Sequence, residues 1–246
     1  MAEPILDVYA LFGPIPPAGA IPGTDALKAN HARHGVAGAI ALSTRGIYHS
    51  APAGNRETAK LCASSGGSLL PAAVIDPRLP FIDTSYQGAR ALCLFPATQN
   101  WPVRMASLKL ALQGIAAAGT AVPLMLEAMR PGDPTALFEE MQASGYKGPL
   151  VLLNIEENTL GEAVALAKAS ESVCLSTDKL RGLGEIALAV EQLGPDRIVF
   201  GSGAIARNAL SASLALVRAA GLSAEVQAKI FSGNARRILG TGGAGA

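Results

Sequence analysis

Apolar residues gather in short runs along this chain, and segments with a helical spacing of apolar positions separate the runs. Continuous apolar runs of this length are typical of parallel strands that are buried on both faces. The pattern predicts eight strands, at residues 5–12, 36–43, 68–75, 89–95, 121–128, 149–156, 172–177 and 197–202. One helix or loop fits between each pair, and about 250 residues is the usual length of a closed barrel of this kind. We therefore predict an α/β fold, a (β/α)8 TIM barrel, in preference to an open sheet.

Capping residues between the runs support the helices. Asp133 before Pro134 predicts a helix start, and Asn55 and Asn158 are predicted to cap the helices that follow them. Glycines stand where four helices should end: Gly35, Gly145, Gly194 and Gly221. Because no stretch has the composition of a linker, we predict one compact domain over residues 1–239. Residues 240–246 are glycine- and alanine-rich and are predicted to form a flexible tail.

Composition and charge exclude several classes of function. Of the 246 residues, 50% are hydrophobic and 4% aromatic, and the formal net charge is +1 with the basic residues scattered, which argues against nucleic-acid binding. No segment reaches the roughly 18 uninterrupted apolar residues of a membrane helix. The N-terminal residues also lack a basic leader. We therefore expect a cytoplasmic protein without nucleic-acid or membrane partners, whose three cysteines are buried, reduced thiols.

Sites in such barrels lie at the carboxyl ends of the strands, so the residues there are the candidates. None of the side chains at the predicted strand ends is a histidine. Glu127 is the candidate catalytic residue. The candidate binding residues are Tyr9, Leu11, Arg130, Asn154, Glu156, Ser176, Ser202, Gly203 and Arg207. The last two lie in the glycine-containing segment 200–208, which is also a weak candidate for an anion site.

Glu127 lies on a very apolar strand, where a carboxylate must be paired or have a raised pKa. As a functional residue, it would be a general base or would bind the amine of a substrate. As a structural residue, it would pair with Arg130 or another cation at the strand ends. Both interpretations stay open at this point.

Other polar residues have simpler interpretations. His31 and His34 fit the last turn of a helix, where they complement its dipole, and His49 fits a solvated loop, with a role as a base as the lesser alternative. Asp178 and Lys179 fit a solvated ion pair. Trp101, the only tryptophan, fits a pocket wall, a cover for the barrel end or a subunit contact.

Four segments carry a resemblance to a known family: "ILDVYALFG", "NRETAKLCASSGGSLLPAAVIDPR", "LGPDRIVFGSGA" and "AKIFSGNARRILG". They resemble the amidohydrolase-related barrels of the amidohydrolase 2 type. These are metal-dependent hydrolases and decarboxylases whose chains open with Asp-Val-His-x-His-Phe-Gly and end with Phe-Gly-Ser-Asp and then Asn-Ala-x-Arg. The resemblance runs from the first strand to the last helix and implies the same barrel with a site at its carboxyl-end mouth.

The resemblance places different residues at the family's metal ligands. The paired histidines of the first strand fall on Tyr9 and Leu11, and the eighth-strand aspartate falls on Gly203. The histidines of the fifth and sixth strands fall at or near Glu127 and Asn154. Only Glu127 is a good ligand for a transition metal, whereas a catalytic zinc site needs about three. We therefore predict no metal and no cofactor at this position.

The leading hypothesis is a degenerate amidohydrolase-like barrel, a pseudoenzyme that binds a small molecule or another protein subunit. The alternative is an enzyme, either a hydrolase or a decarboxylase-like lyase, acting on a small polar or carboxylated substrate. A metal-free version would use Glu127 as a base, Tyr9 or Ser202 as donors and Asn154 to orient the substrate. A metal-dependent version would use displaced ligands, drawn from Asp76, Glu127, Glu156 and His49. Leucines on more than one face of the helical segment 104–119 further suggest a homo-oligomer.

Overall fold

The computed structural model describes residues 4–15, 23–79, 86–203 and 210–240. Eight strands form one parallel sheet in the order of the chain. They are β1 (Ile5–Phe12), β2 (Val36–Ser43), β3 (Leu69–Val74), β4 (Ala91–Leu94), β5 (Leu124–Glu127), β6 (Leu150–Leu153), β7 (Val173–Ser176) and β8 (Ile198–Val199). The predicted (β/α)8 TIM barrel and all eight predicted strand positions are confirmed.

Helices connect the strands, as the spacing predicts. They are α1 (Thr24–His34), α2 (Thr44–Tyr48), α3 (Ala51–Ala63), α4 (Ala106–Ala117), α5 (Asp133–Ser144), α6 (Glu157–Ala169), α7 (Glu185–Leu193), α8 (Leu210–Arg218), α9 (Ala224–Ala228) and α10 (Asn234–Ile238). A 3-10 turn precedes β8 (Pro195–Arg197), and a π-helical segment joins α9 to α10 (Lys229–Gly233). The predicted tail beyond Gly240 lies outside the described residues.

Three of the four predicted helix ends are right, at Gly35, Gly145 and Gly194, whereas α8 ends at Arg218, before Gly221. Two predicted helix starts are wrong. Gly35 and Gly145 terminate their helices with φ values of 73° and 75°, a conformation that glycine adopts without strain. Asn158 lies inside α6, whose cap is Glu156. Asn55 lies inside α3 and is buried. Its side chain binds the backbone of Val74 and does not cap the helix. Its side-chain amide donates to the Val74 carbonyl at 2.9 Å and accepts from the Val74 N–H at 2.7 Å, which joins α3 to β3.

Alternate residues of each strand pack on opposite sides of the sheet. On β5, Leu124 and Leu126 join the apolar layer between the sheet and the helices, whereas Met125 packs with Val151 and Cys174 inside the barrel. Glu127 has the same parity as Met125. Its side chain therefore lies at the inner, carboxyl end of the barrel.

The seam between β8 and β1 closes the barrel. Two backbone bonds cross it, from Val8 N–H to the Phe200 carbonyl and from Gly203 N–H to the Tyr9 carbonyl, both at 2.9 Å. A register shift between Asp7 and Ala10 interrupts the pairing of β1 with β2, which is typical of a bulge. At the seam, the N–H groups of Tyr9 and Ser202 are buried and need acceptors.

The carboxylate of Asp7 supplies those acceptors. Its Oδ1 accepts from the N–H of Tyr9 and from the N–H of Ser202, both at 3.0 Å. Its Oδ2 accepts from the hydroxyl of Ser202. Asp7 is 1% exposed, so these bonds form away from water and tie the first strand to the last.

The three cysteines are free and buried. Burial raises the pKa of the Cys62 thiol to about 11 and that of Cys93 to about 12, and it also raises the pKa of Cys174. The prediction of buried, reduced thiols is consistent with this placement. Among the described residues, no helix has the length and apolar character needed to cross a membrane.

We expect Asp7→Ala to lower the free energy of unfolding by about 3–5 kcal/mol, because it removes a buried carboxylate that accepts three hydrogen bonds across the seam. Asp7→Asn should cost less, since its carbonyl oxygen still accepts from backbone N–H groups. Urea unfolding followed by circular dichroism measures both variants. Asp25→Ala is the control, because that side chain is 99% exposed and its loss should cost less than about 1 kcal/mol. Equal losses at positions 7 and 25 would contradict the assigned role of the seam.

Candidate active site at the carboxyl end of the barrel

Four polar side chains from different strands meet at the carboxyl end of the barrel. Tyr9 lies on β1, Glu127 ends β5, Asn154 follows β6 and Asp178 follows β7. Each is at most 7% exposed. In barrels of this class, this is the end at which the loops build an active site.

Glu127 is held by three hydrogen bonds from two residues. Its Oε1 accepts from the Thr98 hydroxyl at 3.0 Å and from the side-chain amide of Asn154 at 3.1 Å, and its Oε2 accepts from the Thr98 N–H at 3.3 Å. Burial raises the pKa of this carboxyl group, and the negative charge of Asp178 adds to the rise, whereas the bonds from Thr98 and Asn154 oppose it. The apolar strand predicted a carboxylate that is either paired or raised in pKa, and Glu127 has both hydrogen-bond partners and a raised pKa.

Asn154 connects the two carboxyl groups. Its backbone N–H faces both oxygens of Asp178, at 3.2 and 3.1 Å, while its side chain donates to Glu127. This geometry depends on a φ of +52°, a left-handed conformation that asparagine adopts more readily than most residues. One residue thus fixes the relative placement of two acids.

Asp178 is not the solvated ion-pair residue that the sequence suggests. It is 2% exposed, and burial raises its pKa, with a smaller contribution from the negative charge of Asp7. The neighbouring Ser176 hydroxyl and the Asn154 N–H oppose the rise. Lys179 pairs with Glu156 instead, at 2.7 Å. Successive residues after a strand point in different directions, so one faces the barrel and the other the surface.

Tyr9 contributes a neutral hydroxyl to this site. Burial raises its pKa well above 10, and the nearby acids Glu127 and Asp178 raise it further. Its ring packs over Gly203, whose φ is +61°, and a Cβ placed on that glycine would lie 3.8 Å from the ring carbons. The hydroxyl therefore stays protonated throughout the physiological pH range.

The candidate cations have partners other than these acids. The guanidinium group of Arg130 donates to the carbonyls of Pro96 and Trp101, and not to Glu127 as the structural interpretation of Glu127 predicted. Glu156 accepts from Lys179 and caps α6. Arg207, another candidate binding residue, lies outside the described residues.

The remaining candidate binding residues lie in the barrel wall. The Ser202 hydroxyl donates to Asp7, which corrects its predicted role as a substrate donor. Leu11 packs in the apolar interior. Ser176 is fully buried, and its hydroxyl occupies the space beside Gly201, where a Cβ would lie 2.2 Å from it. Gly201 is thus required for Ser176 to fit.

Two other interpretations change in the structure. His31 is 4% exposed, and its Nε2 lies 3.7 Å from Asp7 Oδ2, so it is more than a residue at a helix end. Trp101 is also buried, and its indole N–H donates to the side chain of Gln99 at 3.0 Å. His49 is exposed, as a loop residue should be.

The residues at the family's metal-ligand positions do not fit a transition-metal ion. Leu11 and Gly203 offer no donor atom, Tyr9 stays protonated, and the Asn154 amide nitrogen faces Glu127. The displaced set is also dispersed, because Asp76 pairs with Arg78 and Glu156 with Lys179. Across residues 4–15, 23–79, 86–203 and 210–240, no three histidine, cysteine, aspartate or glutamate side chains come together as a metal site.

Sequence reasoning did not place Asp178 and Thr98 in this cluster. A signal for Asp178 existed, since it directly follows an apolar strand whose end should face the mouth. Thr98 gives no such signal, because its contact with Glu127 depends on the shape of the loop after β4.

Comparisons with known proteins agree with the barrel and with its motifs. The model of the amidohydrolase family matches residues 172–241. Among solved structures, 2,6-dihydroxybenzoate decarboxylase from Rhizobium superposes with a TM-score of 0.73 at 15% identity, covering 98% of this chain and 100% of that one. A search of curated proteins finds no match.

Two further structures have the same architecture. One is 5-carboxyvanillate decarboxylase from Novosphingobium aromaticivorans, complexed with manganese and 4-hydroxy-3-methoxy-5-nitrobenzoic acid (TM-score 0.70, 12% identity, 97% of this chain and 96% of that one). The other is an amidohydrolase 2 protein from Bifidobacterium longum subsp. infantis (TM-score 0.67, 14% identity, 97% and 99%). At these identities, the likeness is one of fold.

The first-strand and last-strand motifs, the matched C-terminal region and the complete barrel agree with one another. This chain therefore has the (β/α)8 barrel fold, and its C-terminal region is similar to the amidohydrolase family, in agreement with the resemblance of its motifs.

Proposed function

We propose that the protein is an enzyme of the hydrolase or lyase class that acts on a small polar molecule by general acid–base catalysis at the mouth of the barrel. One observation carries the proposal. Asn154 holds two buried carboxyl groups, Glu127 and Asp178, whose pKa values are both raised, beside the neutral hydroxyl of Tyr9. The reaction proposed here takes no step through a metal ion, because the residues at the family's metal position do not fit one.

The raised pKa values distinguish these acids from structural ones. Asp76 is an example of a structural acid, since its hydrogen bonds to Arg78 lower its pKa and stabilise the ionised form. Glu127 and Asp178 instead lie in surroundings that penalise their charge. Acids kept in such surroundings are characteristic of proton-transfer sites, where a pKa closer to the working pH improves catalysis.

Each residue of the cluster has a distinct role in this proposal. Glu127 takes a proton from the substrate or from a water molecule and returns it later in the reaction. Tyr9 donates a hydrogen bond to a substrate oxygen. Asn154 and Thr98 hold the Glu127 carboxyl in place, and Asp178 fixes the Asn154 backbone.

The decarboxylases and the amidohydrolase that have this fold support the enzyme over a binding protein. The competing hypothesis, a pseudoenzyme that binds a small molecule or a protein subunit, requires that the acid cluster has no catalytic use. A homo-oligomer stays a prediction. Leu110 on α4 is 66% exposed, between the buried Leu108 and Leu112, and is the residue that a subunit contact would cover.

We expect Glu127→Gln to lower kcat/KM by about 10²–10⁴-fold on any substrate that the protein turns over, because it removes the proton acceptor. The amide oxygen can still accept the two bonds made to Oε1, and only the weak bond from the Thr98 N–H to Oε2 at 3.3 Å is lost. The measurement is turnover of a panel of small amides, lactones and carboxylic acids in the presence of EDTA. Native mass spectrometry of the same preparation weighs any bound metal or metabolite.

Glu171→Gln is the matched control, since Glu171 is exposed and precedes β7, at the opposite end of the barrel. Its kcat/KM should equal that of the unmodified protein. Turnover that EDTA abolishes and that manganese or zinc restores would reject the metal-free reaction. Tight metabolite binding without any turnover would favour the binding protein.

The acid cluster should also make stability depend on pH. The unfolded chain releases the Glu127 proton near its ordinary pKa of 4.5, whereas the folded protein holds it to higher pH. The free energy of unfolding therefore falls as the pH rises from about 4.5 through the raised pKa, and then levels off.

Glu127→Gln removes this titration. Its stability relative to the unmodified protein should rise with pH across that window, as measured by urea unfolding between about pH 4 and pH 8. For Glu171→Gln the difference should be small at every pH. A relative stability of Glu127→Gln that falls with pH would show that the Glu127 pKa is not raised.

A further inference from the structure

We infer that a cavity at the amino end of the barrel binds a small oxyanion, which the side chains of Lys28 and His31 hold. This end of the barrel lies opposite the mouth, so the inference goes beyond the proposed function and does not depend on it.

The cavity lies between α1 and the first residues of β2 and β3. Its volume is about 230 Å³, whereas one water molecule occupies about 30 Å³ in the liquid, so a small ion fits together with some of its water. On α1 the cavity is lined by Lys28, His31 and Ala32, which lie three and four positions apart on one face of the helix. The strands contribute residues 36–38 and 68–69.

An irregularity in the strand pairing forms part of the cavity wall. Ile5 of β1 pairs with Val36 of β2, but the next residue, Leu6, pairs with Gly38. Ala37 is therefore an extra residue on β2, as in a β-bulge, and it lines the cavity. Bulges of this kind are frequent beside functional sites, because they bend a strand locally.

His31 is the buried polar residue of this cavity. It is 4% exposed, yet within the part of the chain that the structure describes neither of its ring nitrogens has a hydrogen bond. His34, one turn later on the same helix, differs in this respect, since its Nδ1 is bonded to the Asn30 carbonyl oxygen at 2.9 Å. Buried polar side chains are nearly always hydrogen-bonded, so a partner for His31 is expected in the space that it lines.

The two ring nitrogens of His31 have different surroundings. Nε2 is enclosed by protein and lies 3.7 Å from Asp7 Oδ2, which is the spacing of an ion pair between a protonated ring and a carboxylate. Nδ1 is not enclosed in this way, so it is the nitrogen that the cavity reaches. Both nitrogens of a protonated imidazole are donors. The Nδ1 N–H therefore needs an acceptor in the cavity, while the Nε2 N–H faces Asp7.

Lys28 supplies a second donor to the same cavity. Its side chain is 35% exposed, and its ammonium group lies 3.4 Å from the carboxylate of Asp25, which is 99% exposed. A surface pair of this kind contributes little, so a ligand can compete for the ammonium group. An oxyanion accepts hydrogen bonds from both Lys28 and His31, whereas a cation would be repelled by both.

The experiment measures anion binding to the full chain by isothermal titration calorimetry. The probes are inorganic phosphate and acetate, which represent the two common classes of oxyanion. Each is titrated at constant ionic strength, with chloride as the balancing anion. The midpoint of thermal unfolding is measured in the same solutions, because an ion that binds only the folded chain raises it.

Four variants are compared with the unmodified chain, and circular dichroism checks that each is folded. Lys28→Gln and His31→Gln remove the two donors in turn. Lys109→Gln is the matched control, since Lys109 is exposed on α4, away from the cavity. Arg207→Ala tests the other candidate anion site, in the segment 200–208 at the opposite end of the barrel.

We expect one equivalent of phosphate or acetate to bind the unmodified chain and to raise its unfolding midpoint. The affinity should fall about tenfold or more in His31→Gln, the loss expected for a buried hydrogen bond between charged groups. It should fall about threefold to fivefold in Lys28→Gln, because that ammonium group is partly exposed. Lys109→Gln and Arg207→Ala should keep the affinity of the unmodified chain. The anion that binds more tightly identifies the class of the ligand.

Three results would overturn the inference: no saturable binding of either anion, an affinity that Lys28→Gln or His31→Gln leaves unchanged, or binding that Arg207→Ala abolishes. If His31→Gln does not fold, Lys28→Gln decides the outcome, because its partly exposed side chain can be replaced without opening the core. None of these results bears on turnover that depends on Glu127, so the failure of this inference would leave the proposed function in place.

Discussion

The carboxylate of Asp7 is the interaction on which the rest of the barrel depends. The last strand, Ile198–Val199, is short, and two backbone hydrogen bonds across the seam are few for closing an eight-stranded sheet. Asp7 adds three bonds at the same place, to Tyr9 and to Ser202, without exposing any of them to water. Tyr9 and Gly203 face each other at the mouth because this seam holds them there.

The mouth itself is arranged around a second constraint, the left-handed backbone of Asn154. That conformation turns one N–H toward Asp178 and lets the side chain reach Glu127, so two repelling acids are kept near each other. This arrangement is unfavourable by itself. Burial of the apolar layers on both sides of the sheet offsets its free-energy cost. A stable apolar shell thus supports a strained centre in which two acids lie close together.

The sequence predicts the barrel well because strands buried on both faces leave continuous apolar runs. Boundaries are less accurate where tertiary contacts intervene. The run 197–202 yields a strand of two residues because the chain beyond it bonds to Asp7 and Tyr9 instead of continuing the ladder. The site is harder to predict, since its contacts join residues that are distant in the chain. Neither the burial of Asp178 next to a charged lysine nor the bond from Thr98 to Glu127 is encoded in local spacing.

The three buried thiols lie in two different layers of the molecule. Cys62 packs between the helices and the outer face of the sheet, whereas Cys93 and Cys174 lie inside the barrel. Only the thiolate reacts readily, and burial keeps all three protonated in the folded state. Alkylation of Cys62 alone would therefore indicate that the helices had separated from the sheet. Alkylation of all three cysteines would indicate that the barrel interior had also become exposed to solvent. The order in which the three thiols become reactive would therefore show which of the two layers opens first.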